Sequence, residues 1–154
     1  MSTGESSFYD EHGNYVVYDE HEKVSLAREQ EIRELSERVR ACLTAAGLSA
    51  TIRRDYGSII GADITMEFDV DRPRDFFGGV FASWHASDEV SLVAAYAVGE
   101  GRPEDPMVTH NGAIAQAMCD AMIAIMASAG FTVKEAEGEY LPMAVAVLSG
   151  PQTS

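Results

Sequence analysis

The chain of 154 residues carries 25 acidic side chains against 11 basic ones, a formal net charge of -14, and 46% hydrophobic residues. That length suits one domain with a sizeable core, and the apolar content excludes a disordered chain. Phosphate contacts need clustered Lys and Arg, so the charge argues against direct nucleic-acid binding and suits a protein partner with a basic surface, a nucleic-acid mimic, or a salty or crowded setting.

Residues 1–22 form an acidic arm in which Tyr9-Asp10-Glu11-His12 recurs as Tyr18-Asp19-Glu20-His21. A small hairpin turning near Gly13-Asn14 fits the repeat. His and carboxylate together are competent metal ligands, but no spacing of a known metal site accompanies them. No metal or other cofactor is expected. The arm holds no basic residue and no apolar run, so a signal peptide is not expected and the cytoplasm is the default setting. Cys42 and Cys119 fit buried thiols in a reducing compartment.

A single α+β domain is expected over residues 23–149, with 150–154 as a tail. Its first element is an amphipathic helix over 23–47, with Ser25 as N-cap and Gly47 as stop. Leu26, Ile32, Leu35, Val39, Cys42, Leu43 and Ala46 make the apolar face, and Glu29–Arg33 and Glu34–Arg38 are i,i+4 pairs on the polar one.

Residues 48–70 read as a β-hairpin. Ile60, Ala62, Ile64, Met66, Phe68 and Val70 alternate with Gly61, Asp63, Thr65, Glu67 and Asp69, a period of two. Matching apolar faces across a loop at Gly57–Ile59 sets Ile52 opposite Ile64 and Ala50 opposite Met66. The outer face then pairs Arg53 with Asp63 and leaves Glu67 and Asp69 uncompensated. These three acids, Asp63, Glu67 and Asp69, are the expected protein-binding strand face.

Asp71 to Asp75 is a turn around Pro73. Residues 76–86 and 90–98 suggest a second hairpin around Ser87-Asp88-Glu89, with Trp84 opposite Leu92. Its other face carries Phe81, Val93, Ala95 and Ala97. A strand apolar on both sides is either covered on both sides or contributes an interface. Phe81 and Val93 are therefore added to the expected binding residues.

A Gly/Pro/acid loop leads into residues 107–130, a long apolar helix capped by Asp105-Pro106 and stopped by Gly130. Ile114, Met118, Met122, Ile125 and Ala129 line one side, and Ala113, Ala117, Ala121, Ala124 and Ser128 a neighbouring one. Asp120 would sit near mid-bilayer in a membrane span, so a core helix is expected and no membrane partner. Strands at 131–137 and 140–148 complete the order α-β-β-β-β-α-β-β. This is an α+β fold with a mainly antiparallel sheet of four to six strands and two helices.

Known catalytic signatures are absent. The residual chemistry lies in His85 beside Asp88 and Glu89, His110-Asn111 at a helix start, Cys119, and Asp120 one turn from Gln116, for which Arg54 is an inward-pointing partner. Three functions are open: a small acidic protein-binding module of the antagonist, adaptor or secretion-chaperone kind; a structural subunit of a homo-oligomer such as a bacterial or phage assembly; and a small enzyme using His85 or Asp120. The first is preferred.

Overall fold

The computed structural model describes residues 6–9, 11–12, 15–18, 22–55, 57–70, 78–137 and 143–151. In the arm, β1 (Ser6–Tyr9) pairs antiparallel with β2 (Tyr15–Tyr18), as the repeat suggested. The short β3 (Glu22–Lys23) leads into helix α1 (Leu26–Ala45).

Helix α1 begins where Ser25 Oγ accepts the Arg28 N–H at 3.1 Å, satisfying one of the orphan donors of the first turn. It ends at Gly47, whose φ of 95° is left-handed. Its buried face is Ile32, Leu35, Ser36, Val39 and Leu43, while Leu26 stays exposed. Burial of each large side chain in that row contributes about 1.5–3 kcal/mol. Glu29 and Arg33 pair at 2.8 Å. Glu34 instead accepts from Gln30, and Arg38 donates to the Pro151 carbonyl.

The main sheet runs in the order β4 (Ala50–Ile52), β5 (Gly61–Glu67), β7 (Gly79–His85), β9 (Val145–Ser149), β8 (Thr132–Glu135). The expected first hairpin is corrected here. Strands β4 and β5 are parallel, with Ala50 beside Ala62 and Ile52 beside Ile64. Face matching alone allows both directions, because the inward residues are apolar either way. What decides is the connection, residues 53–60, which carries the chain back so that β5 starts against Ser49. A Cβ on Gly61 would lie 2.6 Å from the Ser49 carbonyl, and Gly61 has φ 98°, so only glycine fits this approach. The other neighbouring pairs are antiparallel, so the sheet is mixed. Beyond it, β6 (Asp69–Val70) pairs with β3.

The second expected hairpin is also corrected. Residues 88–99 form a helix, α2 (Asp88–Gly99), and the described residues hold three helices rather than two. Ser87-Asp88-Glu89 is a helix start with acids in its first turn, not a hairpin tip. The run apolar on both strand faces satisfies a helix instead, which turns Ala94 and Ala97 inward. Trp84 consequently pairs with Ala62.

Helix α3 (Pro106–Ser128) follows, its first turn capped by Asp105, whose carboxylate accepts the Met107 N–H at 2.9 Å. Helices α1 and α3 pack side by side on one face of the sheet, α1 over β4 and β5 and α3 over β7, β8 and β9. The core between them holds Ile32, Leu43, Ile52, Ile64, Val80, Ala82, Cys119, Met122, Met126 and Val145. The buried stripe of α3 is Cys119, Met122 and Met126, rotated from the expected one, in which Ala129 is exposed. Helix α2 packs on α3 as an outer layer. Among the described residues no helix is long and apolar enough to cross a membrane.

Candidate functional site

The residues singled out in the sequence scatter. Asp63 is only 4% exposed and is held by Arg53, whose Nε lies 3.1 and 3.0 Å from the two carboxylate oxygens and whose Nη2 lies 2.7 Å from Oδ2. Arg53 Nη1 also donates to the carbonyls of Asp55 and Gly57, at 3.3 and 2.8 Å. The same guanidinium therefore neutralises Asp63 and ties down the 53–60 connection. The hydrogen bond to Asp63, with the charges of Asp63 and Asp55, raises the Arg53 pKa.

Glu67 is half-buried, and burial, followed by the charge of Asp69, raises its pKa. Asp63, Glu67 and Asp69 thus do not form one free acidic face: the first is paired and the charge of the second is disfavoured. Phe81 lies on β7 between Thr65 and Ala146, on the sheet face away from α1 and α3, since Val80 and Ala82 point into the core. Val93 is on α2. The sheet and α3 separate them.

His85 is oriented by a carboxylate, but by Asp63 rather than Asp88 or Glu89: its Nε2 lies 3.0 Å from Asp63 Oδ2. The imidazole is half-exposed. Such a pair can hold a base in place, though Arg53 already occupies both oxygens of the orienting carboxylate. Asp120 is exposed and accepts from Gln116 at 3.0 Å. Its proposed partner Arg54 lies instead by Glu37. Cys119 is fully buried, and burial pushes its thiol pKa up, the wrong direction for a nucleophile. His110 is exposed in the first turns of α3. The His21 half of the arm repeat lies outside the described residues, among which no three His, Cys, Asp or Glu side chains come close enough to share a metal ion.

The feature that pattern reading missed is the outward side of α2. Leu92, Val93, Tyr96 and Val98 are 50, 46, 69 and 53% exposed, four of the seven exposed large hydrophobics among the described residues. Leu92 and Tyr96 stand one turn apart, and with Ala95, Gly99 and Glu100 they line a shallow depression of ≈430 Å³. Asp88 and Glu89 occupy the first turn, at one end of the helix. Glu100 and Glu104 lie at the other, where Arg102 is engaged by Glu100 at 2.8 Å and Asp105 at 2.6 Å. An apolar strip with acidic ends results. Its signal was present in the sequence as the Ser87-Asp88-Glu89 cap followed by ten residues without a charge.

No protein-family model, curated protein or solved structure matches this chain.

Proposed function

We propose that the protein is a cytoplasmic protein-binding module, an adaptor or antagonist, that holds a partner against the outward side of α2. The partner presents apolar side chains flanked by basic ones. The observation that carries this reading is the concentration of exposed Leu92, Val93, Tyr96 and Val98 on one twelve-residue helix. Single exposed hydrophobics are ordinary, whereas a contiguous group marks a surface that another molecule covers. Tyr and Leu one turn apart are suitable anchors for a helix or groove on the partner.

Charge selects the partner class. The strip ends in Asp88 and Glu89 on one side and Glu100 and Glu104 on the other, in a chain of net charge -14. A twofold contact with a second copy running antiparallel would set acids against acids, while a basic rim would be drawn in and oriented. The test is capture from a native lysate with the wild-type chain and with a Leu92→Ser/Tyr96→Ser double variant. The expected result is one stoichiometric basic protein on the wild type, lost with the variant and weakened by salt. Recovery of the chain itself alone, or equal capture by both baits, would remove the reading and bring self-assembly forward.

A further inference from the structure

A second surface, away from α2, carries its own argument. Strand β4 is one edge of the sheet. Its ladder uses Ser49 and Arg53: Ala62 N donates to the Ser49 carbonyl at 2.8 Å, and Arg53 N to the Ile64 carbonyl at 2.8 Å. Backbone groups of a parallel ladder alternate in direction, so the N–H and C=O groups of Ala50 and Ile52 turn away from β5. The side chains of these two residues are held by the core, Ile52 being 7% exposed. The edge is thus a rigid row of outward donors and acceptors. The opposite edge differs: β8 carries Lys134 and Glu135 and a register shift at Thr132/Val133, devices that blunt an edge.

Beside β4 runs a groove of ≈360 Å³ walled by α1, lined by Glu37, Arg40, Ala50, Thr51, Ile52 and Arg54. Its charge is unusual for this chain. Glu37 accepts from Arg40 at 3.1 and 3.0 Å, so the one carboxylate among the described lining residues is already engaged. Arg54 approaches it only to 3.7 Å and is 74% exposed. Every other described arginine has a carboxylate or carbonyl oxygen at 3.3 Å or closer. Among the described residues the least committed guanidinium therefore stands at a groove along a strand edge that no described strand covers.

We propose that this groove binds an extended acidic peptide segment, which adds a strand to β4 and places a glutamate or aspartate side chain on Arg54. Backbone pairing commits the occupant to an extended chain, and side chains at alternate positions reach the groove. Arg54 supplies the preference for a carboxylate. With only three residues in β4 the contact is short, and the charge pair contributes a large share of the selectivity.

The probe is a terminally blocked peptide of alternating threonine and valine with two central glutamates, followed by amide exchange and chemical shifts of the labelled protein. Bound peptide is expected to slow exchange at Ala50 and Ile52. The lysine counterpart should bind at least about tenfold more weakly, and Arg54→Glu should reverse that preference. Ala50→Pro deletes an outward N–H while leaving the inward ladder, and should abolish binding. A peptide N-methylated at alternate amides asks the same question without altering the protein. Unchanged exchange at Ala50 and Ile52, equal binding of both peptides, or indifference to N-methylation would each overturn the proposal, and none would touch the α2 reading.

Discussion

Helices α1 and α2 both start at a serine and both lie against a helical or sheet neighbour, yet they distribute side-chain size in opposite ways. Helix α1 turns its large residues inward, Ile32, Leu35, Val39 and Leu43, and dresses its outside with Arg28–Glu31, Arg33–Glu29 and Arg40–Glu37 pairs. Helix α2 buries only Ala94 and Ala97 and turns Leu92, Val93, Tyr96 and Val98 outward. The small inward residues let α2 lie close on α3, but they bury little apolar area. The large residues of α2 therefore add little to the packing of the single chain, which suits the docking role proposed for them.

The comparison breaks most visibly at the core. Ile32→Ala in α1 should lower unfolding free energy by about 2–5 kcal/mol in urea titration, while Leu92→Ala in α2 should stay within about 0.5 kcal/mol. Equal losses would mean that Leu92 supports the fold. Next in size is Asp63→Ala, which leaves Arg53 and His85 facing an empty partner position. Its cost belongs toward the lower end of the about 3–5 kcal/mol of a broken buried pair, because the Arg53 side chain is 28% exposed. Loss of protection in the 53–60 connection by hydrogen exchange should accompany it.

The helix caps sharpen the same contrast. Ser25 accepts the Arg28 N–H, whereas the Ser87 side chain makes no cap hydrogen bond. Ser25→Ala should cost about 1 kcal/mol and Ser87→Ala a few tenths at most, read from paired denaturation curves. Smallest is a pH effect at Glu67, whose folded pKa is raised by burial and then by Asp69. The folded state holds this proton more tightly than the unfolded chain, so stability falls as pH rises from the ordinary glutamate range through the raised value. Glu67→Gln should remove that part of the slope and stabilise the neutral-pH fold, with no gain at pH below the ordinary glutamate range. A variant whose stability tracked the wild type at every pH would contradict the burial of this charge.

These contrasts also mark what could be read from residues alone. Helices α1 and α3 were legible because Ser25, Gly47, Asp105-Pro106 and Gly130 fix their ends, and β5 because its alternation is strict. The Arg53–Asp63 contact was legible as a charge pair, although it forms across parallel strands. Strand direction was not legible: Ile52 meets Ile64 in both arrangements, and the deciding fact is the close passage of Gly61 over Ser49, a contact between segments. Helix α2 was misread because an apolar run matches a strand covered on both faces as well as a helix. The same misreading placed Val93 beside Phe81. The exposed apolar strip followed only once the helix was seen.

The most direct measurement places a photo-activatable phenylalanine analogue at Tyr96 on α2 and, in a second bait, at Glu34 on the charged side of α1. Both baits are irradiated in native lysate at moderate salt. The account predicts one basic protein cross-linked from position 96 and none from position 34. Identical products from both positions, or products consisting only of the chain itself, would contradict it.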